Sequence, residues 1–250
     1  MKKPQVCILR TDGTNCDEES SRAFTKAGGE CTSAHVNELR NGSHELSGYQ
    51  ILVIPGGFSY GDDIVSGKIL AVELLSFLRD QLSEFVDRGN LIIGICNGFQ
   101  VLVRTGLLPF RELGTMSATL TDNDSGSFHC RWIELALRAS PCVFTSGMEG
   151  KEVMFQMAHG EGKFFAGDDV LSKLEEKRLV PIRYVDNPNG SLNNIAGVCD
   201  PTGRIFGLMP HPERFVEVYQ HPNWRRISNL KPQGLPIFQN GVNFAAQNLM

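Results

Sequence analysis

Cys96 stands in Leu91-Ile-Ile-Gly-Ile-Cys-Asn-Gly-Phe-Gln100, where Gly94-x-Cys96-x-Gly98 sets a thiol between glycines at the end of an apolar run. A nucleophile at a strand-to-helix corner needs such glycines, because neighbouring Cβ atoms would clash on so tight a turn. The N-terminus of the following helix favours a thiolate, and the backbone N–H of Asn97 points where an oxyanion would form. The alternative is a buried cysteine in a glycine-bounded strand. A thiol nucleophile also needs a base, and the chain has six histidines. His211 lies in Met-Pro-His-Pro-Glu-Arg, just past an apolar run, where open α/β folds bind their ligands. Glu213, two residues on, falls on the same side of an extended stretch and can hold the imidazole tautomer, as a triad acid does. His159-Gly-Glu161 has the same spacing and is a rival pair. Prolines stiffen the backbone around His211 whereas glycines loosen it around Glu161, which favours His211.

A third feature is Pro55-Gly-Gly-Phe-Ser-Tyr-Gly-Asp62. The pair Gly56-Gly57 lets the main chain approach a ligand and present N–H groups, and its peptide can rotate with little steric cost. No phosphate-binding P-loop is present: Asp62 stands where Gly67-Lys68 would need a glycine, and Ile69 follows instead of Ser or Thr. There is no GxGxxG, and the histidines lack spacing such as H-E-x-x-H. The sequence therefore predicts neither a nucleotide nor a metal site in this chain.

These residues need elements to position them. Runs at 51–54 and 91–95 are continuously apolar, as in strands buried on both faces of a parallel sheet. Further strand-like runs fall at 6–9, 132–137, 153–157, 180–184, 195–199 and 205–209. Between them, 17–27 reads as a helix with Asp17, Glu18 and Glu19 in its first turn and Gly28-Gly29 as its stop. Residues 64–86 hold a longer helical region, in one piece or two, and 97–105 a helix directly after a strand. Alternating strands and helices define an α/β fold. Residues 121–127 and 186–194 are polar loops and not domain linkers. The expectation is one domain over 1–250, with a polar extension from about His221.

Composition narrows the function classes. At 250 residues, 41% hydrophobic and 21% charged, the chain can bury a core without staples. A net charge of −4 gives no general attraction to nucleic acid or anionic lipid. No run is long enough for a signal segment or membrane span. Seven scattered cysteines without a Cys-x-x-Cys pair argue for reduced thiols in a cytoplasmic protein.

With Gly94-Ile-Cys96-Asn-Gly98-Phe-Gln100 and Met-Pro-His211-Pro-Glu213 together, the chain resembles the class I glutamine amidotransferases. Thr11-Asp-Gly-Thr-Asn-Cys-Asp17, the 55–62 loop and His159-Gly-Glu-Gly-Lys163 make it similar to the glutaminases of phosphoribosylformylglycinamidine synthase, a purine-biosynthesis enzyme. The resemblance covers about residue 6 to the C-terminus. It implies an α/β fold of flavodoxin-like sandwich type with a mostly parallel central sheet. It implies Cys96 as nucleophile, His211 as base and acid, and Glu213 as orienting carboxylate. The N–H groups of Asn97 and Gly57 would form the oxyanion hole, and Gln100 would help hold glutamine. His159 and Glu161 are left as pocket or interface residues.

The implied activity is release of ammonia from glutamine through a cysteinyl thioester. The implied partner is a synthetase subunit that uses ATP and Mg²⁺ to amidate formylglycinamide ribonucleotide, with a small accessory subunit as a further candidate. No cofactor is expected in this chain, which has no room for the ATP-binding domain. Competing readings are another amidotransferase of the class, a cysteine-elbow peptidase or chaperone, and a non-catalytic glutamine-sensing or scaffold module.

Overall fold

The structure is a computed structural model and describes residues 2–250. In chain order the first half contains β1 (Gln5–Arg10), α1 (Asp17–Ala27), β2 (Glu30–His35), α2 (Val36–Arg40), β3 (Ile51–Ile54), α3 (Lys68–Phe77), α4 (Arg79–Asp87), β4 (Leu91–Ile95) and α5 (Asn97–Arg104). There follow β5 (Ala118–Asp122), β6 (His129–Leu137), β7 (Glu152–His159), β8 (Glu161–Ala166), α6 (Asp168–Glu176), β9 (Ile182–Tyr184), β10 (Ile195–Cys199), β11 (Ile205–Leu208) and α7 (Leu235–Asn248). Among these residues no helix is long and apolar enough to cross a membrane.

The apolar runs become the middle of one nine-stranded sheet, ordered β2-β1-β3-β4-β11-β10-β9-β6-β7. The five strands from β2 to β11 pair in parallel, and each later pair is antiparallel. Only β10 and β6 therefore run against the others, and the sheet is mostly parallel. Every residue of β3, β4, β10 and β11 is buried, as continuous apolar strands covered on both faces require. β5 and β8 form a separate antiparallel pair.

Register decides what meets at the carboxyl edge. Ile95 pairs with Leu208, so the chain leaves β4 at Cys96 beside the place where it leaves β11 toward His211. On the other side of β4, Ile54 pairs with Gly94, which brings Gly56 and Gly57 to the same corner. Three sequence-distant segments thus converge because three buried strands are neighbours.

The helix over 17–27 has the expected bounds. Gly28 closes it in the left-handed region at φ 104, and Gly29 N–H donates to Phe24 O at 2.9 Å. Residues 64–86 resolve into α3 and α4, broken at Leu78. The stretch from His221 is not uniformly polar. Most of 222–234 is exposed, but α7 buries Ile237, Phe238, Gly241, Val242 and Ala245. Phe238 meets Phe24 of α1 edge to face with centroids 5.0 Å apart. Their burial makes α7 part of the layer that covers the sheet.

Phe238→Ala should cost about 3–5 kcal/mol in denaturant unfolding, because it empties a filled site between α1 and α7. A loss under about 1 kcal/mol would mean that α7 only lies against the surface.

Candidate active site

Cys96 sits at φ 52, ψ −106, outside the regions open to ordinary L-residues, at an expected cost of about 1–3 kcal/mol. The turn is too tight for neighbouring side chains. A Cβ on Gly98 would run into the Ile54 carbonyl oxygen, and one on Gly94 would meet the Gly98 carbonyl. Main-chain bonds hold the corner: Cys96 N–H donates to Leu208 O at 2.8 Å, and Cys96 O accepts from Gln100 N–H at 3.2 Å. The first N–H groups of α5, beginning with Asn97, have no intrahelical acceptor. The Cys96 sulfur lies 3.7 Å from Ala158 O.

His211 is anchored from the opposite side, its N–H donating to Gln156 O at 2.8 Å. Its Nδ1 bonds Glu213 Oε1 at 2.6 Å, with both residues buried. Glu213 thereby fixes the tautomer, and Nε2 has no partner. Burial alone would push this imidazole down, but the Glu213 carboxylate and the Cys96 sulfur outweigh it and hold it well above the ordinary histidine range. Gly56 is what lets the groups meet. A Cβ there would stand 2.9 Å from His211 Cε1, 3.2 Å from Cys16 Sγ and 3.4 Å from Cys96 Cβ.

The Gly56–Gly57 peptide is not free to rotate as the sequence suggested. Its carbonyl accepts from Asn15 N–H at 3.4 Å and Cys16 N–H at 3.1 Å, and Phe58 N–H donates to Gly13 O at 2.9 Å. A peptide flip would forfeit the first two bonds. The same pattern turns the Gly57 N–H away from Thr14, its bridge partner. Gly57 adopts φ 149, and a Cβ would lie 2.8 Å from both Asn15 N and Gly13 O, so only glycine fits.

Gly57, Cys96, Gln100, Asp62, His159 and Glu161 share the wall of one cavity of about 260 Å³. Asn97 and Gln100 are tied into that wall. Asn97 Nδ2 donates to Asp62 Oδ1 at 3.1 Å and Gln100 Oε1 at 3.0 Å, and Gln100 Nε2 donates to Glu161 O at 2.5 Å. Burial pushes the Asp62 carboxyl up. Glu161 opens strand β8 opposite Asp122, so the backbone that its flanking glycines would loosen is held in a strand pair.

The two histidine pairs have different surroundings. His159 bonds Asn123 Oδ1 through Nδ1 at 3.1 Å and makes no contact with Glu161 like that of His211 with Glu213. Burial, then His211 and His129, push its pKa down to about 3. It is a neutral imidazole, unsuited to take a proton from a thiol near neutral pH. The sequence did not single out Asn123, Cys16 or Arg214. Arg214 Nη2 donates to Cys16 Sγ at 3.1 Å. Cys16, His211 and Glu213 each offer an atom within 4.8 Å of the other two. Cys16 lies inside the 11–17 motif, but its proximity to His211 follows only from the strand order β1-β3-β4-β11.

A strained cysteine at a strand-to-helix corner, a buried His–Glu pair and a glycine-lined approach define a thiol-dependent acyl-transfer site. The model of the CobB/CobQ-like glutamine amidotransferase domain matches residues 3–245, and the chain belongs to that family. It is 47% identical over 259 residues to phosphoribosylformylglycinamidine synthase subunit PurQ of Dehalococcoides mccartyi, covering 99% of this chain and 100% of that protein. To the subunit of the same name from Methanococcus maripaludis it is 39% identical, covering 96% and 97%. The solved structure of PurLQS from Thermotoga maritima matches with TM-score 0.79 at 33% identity, over 97% of this chain and 99% of that one. A glutamine amidotransferase from the same organism shares the fold at TM-score 0.56 and 14% identity.

His159 also makes stability depend on pH. Its folded value lies below its unfolded value near 6.5, so acid protonates the unfolded chain first and stability falls as pH drops below about 6.5. His211 is shifted the other way; its contribution is complete below about 6.5 and is lost as pH rises from there through its folded value. Lowering pH from 7.5 to 5 should therefore reduce the stability of wild type relative to His159→Phe by about 2 kcal/mol. A difference between the two proteins in thermal unfolding that does not change with pH would mean that His159 titrates normally in the fold.

Proposed function

We propose that the chain is the glutaminase component of phosphoribosylformylglycinamidine synthase. It hydrolyses glutamine and passes ammonia to a synthetase subunit that converts formylglycinamide ribonucleotide to formylglycinamidine ribonucleotide. The observation that carries the catalytic assignment is the buried 2.6 Å His211–Glu213 bond at the corner where Cys96 is strained. The Cys96 thiolate attacks the side-chain carbonyl carbon of glutamine, forming a C–S bond and an oxyanion. The N–H groups of Asn97 and Gly57 receive that charge. His211 Nε2 gives its proton to the nitrogen, the C–N bond breaks and ammonia leaves. Water then loses a proton to His211 and attacks the thioester, the C–S bond breaks, and glutamate is released. Glu213 keeps Nε2 turned toward the reacting atoms, and Gln100 helps hold the substrate.

None of these steps needs a cofactor from this chain. ATP and Mg²⁺ serve the partner, where the acceptor is activated. A small accessory subunit fits the same assembly, and the work is placed in the cytoplasm, where reduced thiols persist. Free ammonia is protonated and lost in bulk water, which is why glutamine hydrolysis is coupled to that partner.

In the assembled enzyme, Cys96→Ala should abolish glutamine-dependent synthesis and leave ammonia-dependent synthesis intact. His211→Ala should lower glutamine turnover by about 10³-fold or more, and Glu213→Gln by an intermediate factor. Glutamine hydrolysis surviving in Cys96→Ala would remove Cys96 as the nucleophile.

A further inference from the structure

We propose that His159 is a specificity-determining residue: its Nε2 lone pair accepts a carboxamide N–H of glutamine and thereby turns away the product carboxylate. This rests on the glutaminase reading above. Asn123 sets the tautomer. Its Nδ2 already donates to Ser127 O at 3.0 Å and His159 O at 2.9 Å, which uses both amide hydrogens. The Asn123 oxygen therefore faces His159 Nδ1, and Nδ1 carries the ring proton. Nε2 is left as a bare acceptor, buried and without a partner. Among the described residues it is the one unpartnered buried polar side-chain atom whose residue lines the Cys96 cavity. Gly162 gives the ring its seat: a Cβ there would collide with the imidazole and lie 2.7 Å from Nε2.

A carboxamide brings one acceptor oxygen and two N–H donors. Main-chain N–H groups take the oxygen, while each buried N–H left unpaired costs free energy. Of the acceptors lining the cavity, Ala158 O lies 3.7 Å from the Cys96 sulfur, and His159 Nε2 is the buried one without a partner. Glutamate would place an unprotonated oxygen against that same lone pair, and no proton is available to reconcile them. Burial keeps the ring neutral, with His211 and His129 adding to the effect. A site built around a substrate N–H rejects the analogue that lacks it far more strongly than shape alone does.

The test uses the assembled enzyme, with glutamine as substrate and glutamate as competitive inhibitor. Ammonia-dependent synthesis in each variant reports folding and assembly. His159→Phe should lower kcat/KM for glutamine about 10²-fold and lower the ratio of glutamate Ki to glutamine KM about 10-fold or more. His159→Gln, whose carbonyl can face the cavity while its amide meets Asn123, should restore most of both. An unchanged ratio in His159→Phe would overturn the proposal, as would a gain for glutamate that His159→Gln does not reverse. If His159→Phe fails to assemble, nitrogen NMR of histidine-labelled wild type decides: an unprotonated Nε2 that shifts on adding glutamine supports the assignment, and a protonated Nε2 defeats it. Wild type without glutamine hydrolysis would instead defeat the underlying glutaminase reading.

Discussion

The first turn of α5 approaches the end of β3 so closely that no side chain fits at position 98. That contact drives the backbone at Cys96 to φ 52 and delivers its sulfur to the cavity shared with Gly57, Gln100 and His159. A conformation costing about 1–3 kcal/mol persists only where its surroundings leave no alternative. Here β3, β4 and β11 are buried along their whole length, and Phe99, Val101 and Leu102 pack beneath the sheet. Relaxing the corner would disturb all of them. Cys96 is therefore positioned by the core.

The electrostatics follow from that placement. His211 and His159 are both buried, yet they are shifted in opposite directions. The difference lies in their partners. A carboxylate at 2.6 Å raises the proton affinity of His211, while the neutral amide of Asn123 does nothing to offset the burial that pushes His159 down. One ring is drawn toward its protonated form, and the other stays neutral, donating through Nδ1 to Asn123 and leaving Nε2 as an acceptor. Cys16 adds a second sulfur beside His211, but it is buried, held by Arg214 and by Asn15 Oδ1 at 3.1 Å, and does not line the cavity. Position relative to the elbow separates the two thiols.

Much of this was legible in the sequence where the physics is local or periodic. The runs at 51–54, 91–95 and 195–199 became strands with those bounds, because continuous burial imposes continuous apolarity. Residues 17–27 advertised both ends of their helix through acidic and glycine caps. Strand β2 escaped because Glu-Cys-Thr-Ser-Ala-His lies at the sheet edge, where half-exposure removes the apolar signature. Helix α7 escaped because its apolar residues are interspersed with Gln, Asn and Gly on a helix of modest contrast. Within the site, Cys96, His211 and Glu213 stood out by type and spacing. Cys16, Arg214 and Asn123 did not, because their relevance comes from strand order and from one amide's hydrogen-bond inventory. No local pattern encodes either.

Two sulfurs lie beside His211, and only the strained one is placed to react. Treating the assembled enzyme with a glutamine-like diazoketone and locating the adduct by mass spectrometry tests this directly. The prediction is one adduct per chain, on Cys96 alone, suppressed by excess glutamine, with Cys16 and the other thiols unmodified. An adduct on Cys16, or labelling of Cys96 that glutamine does not protect against, would contradict it.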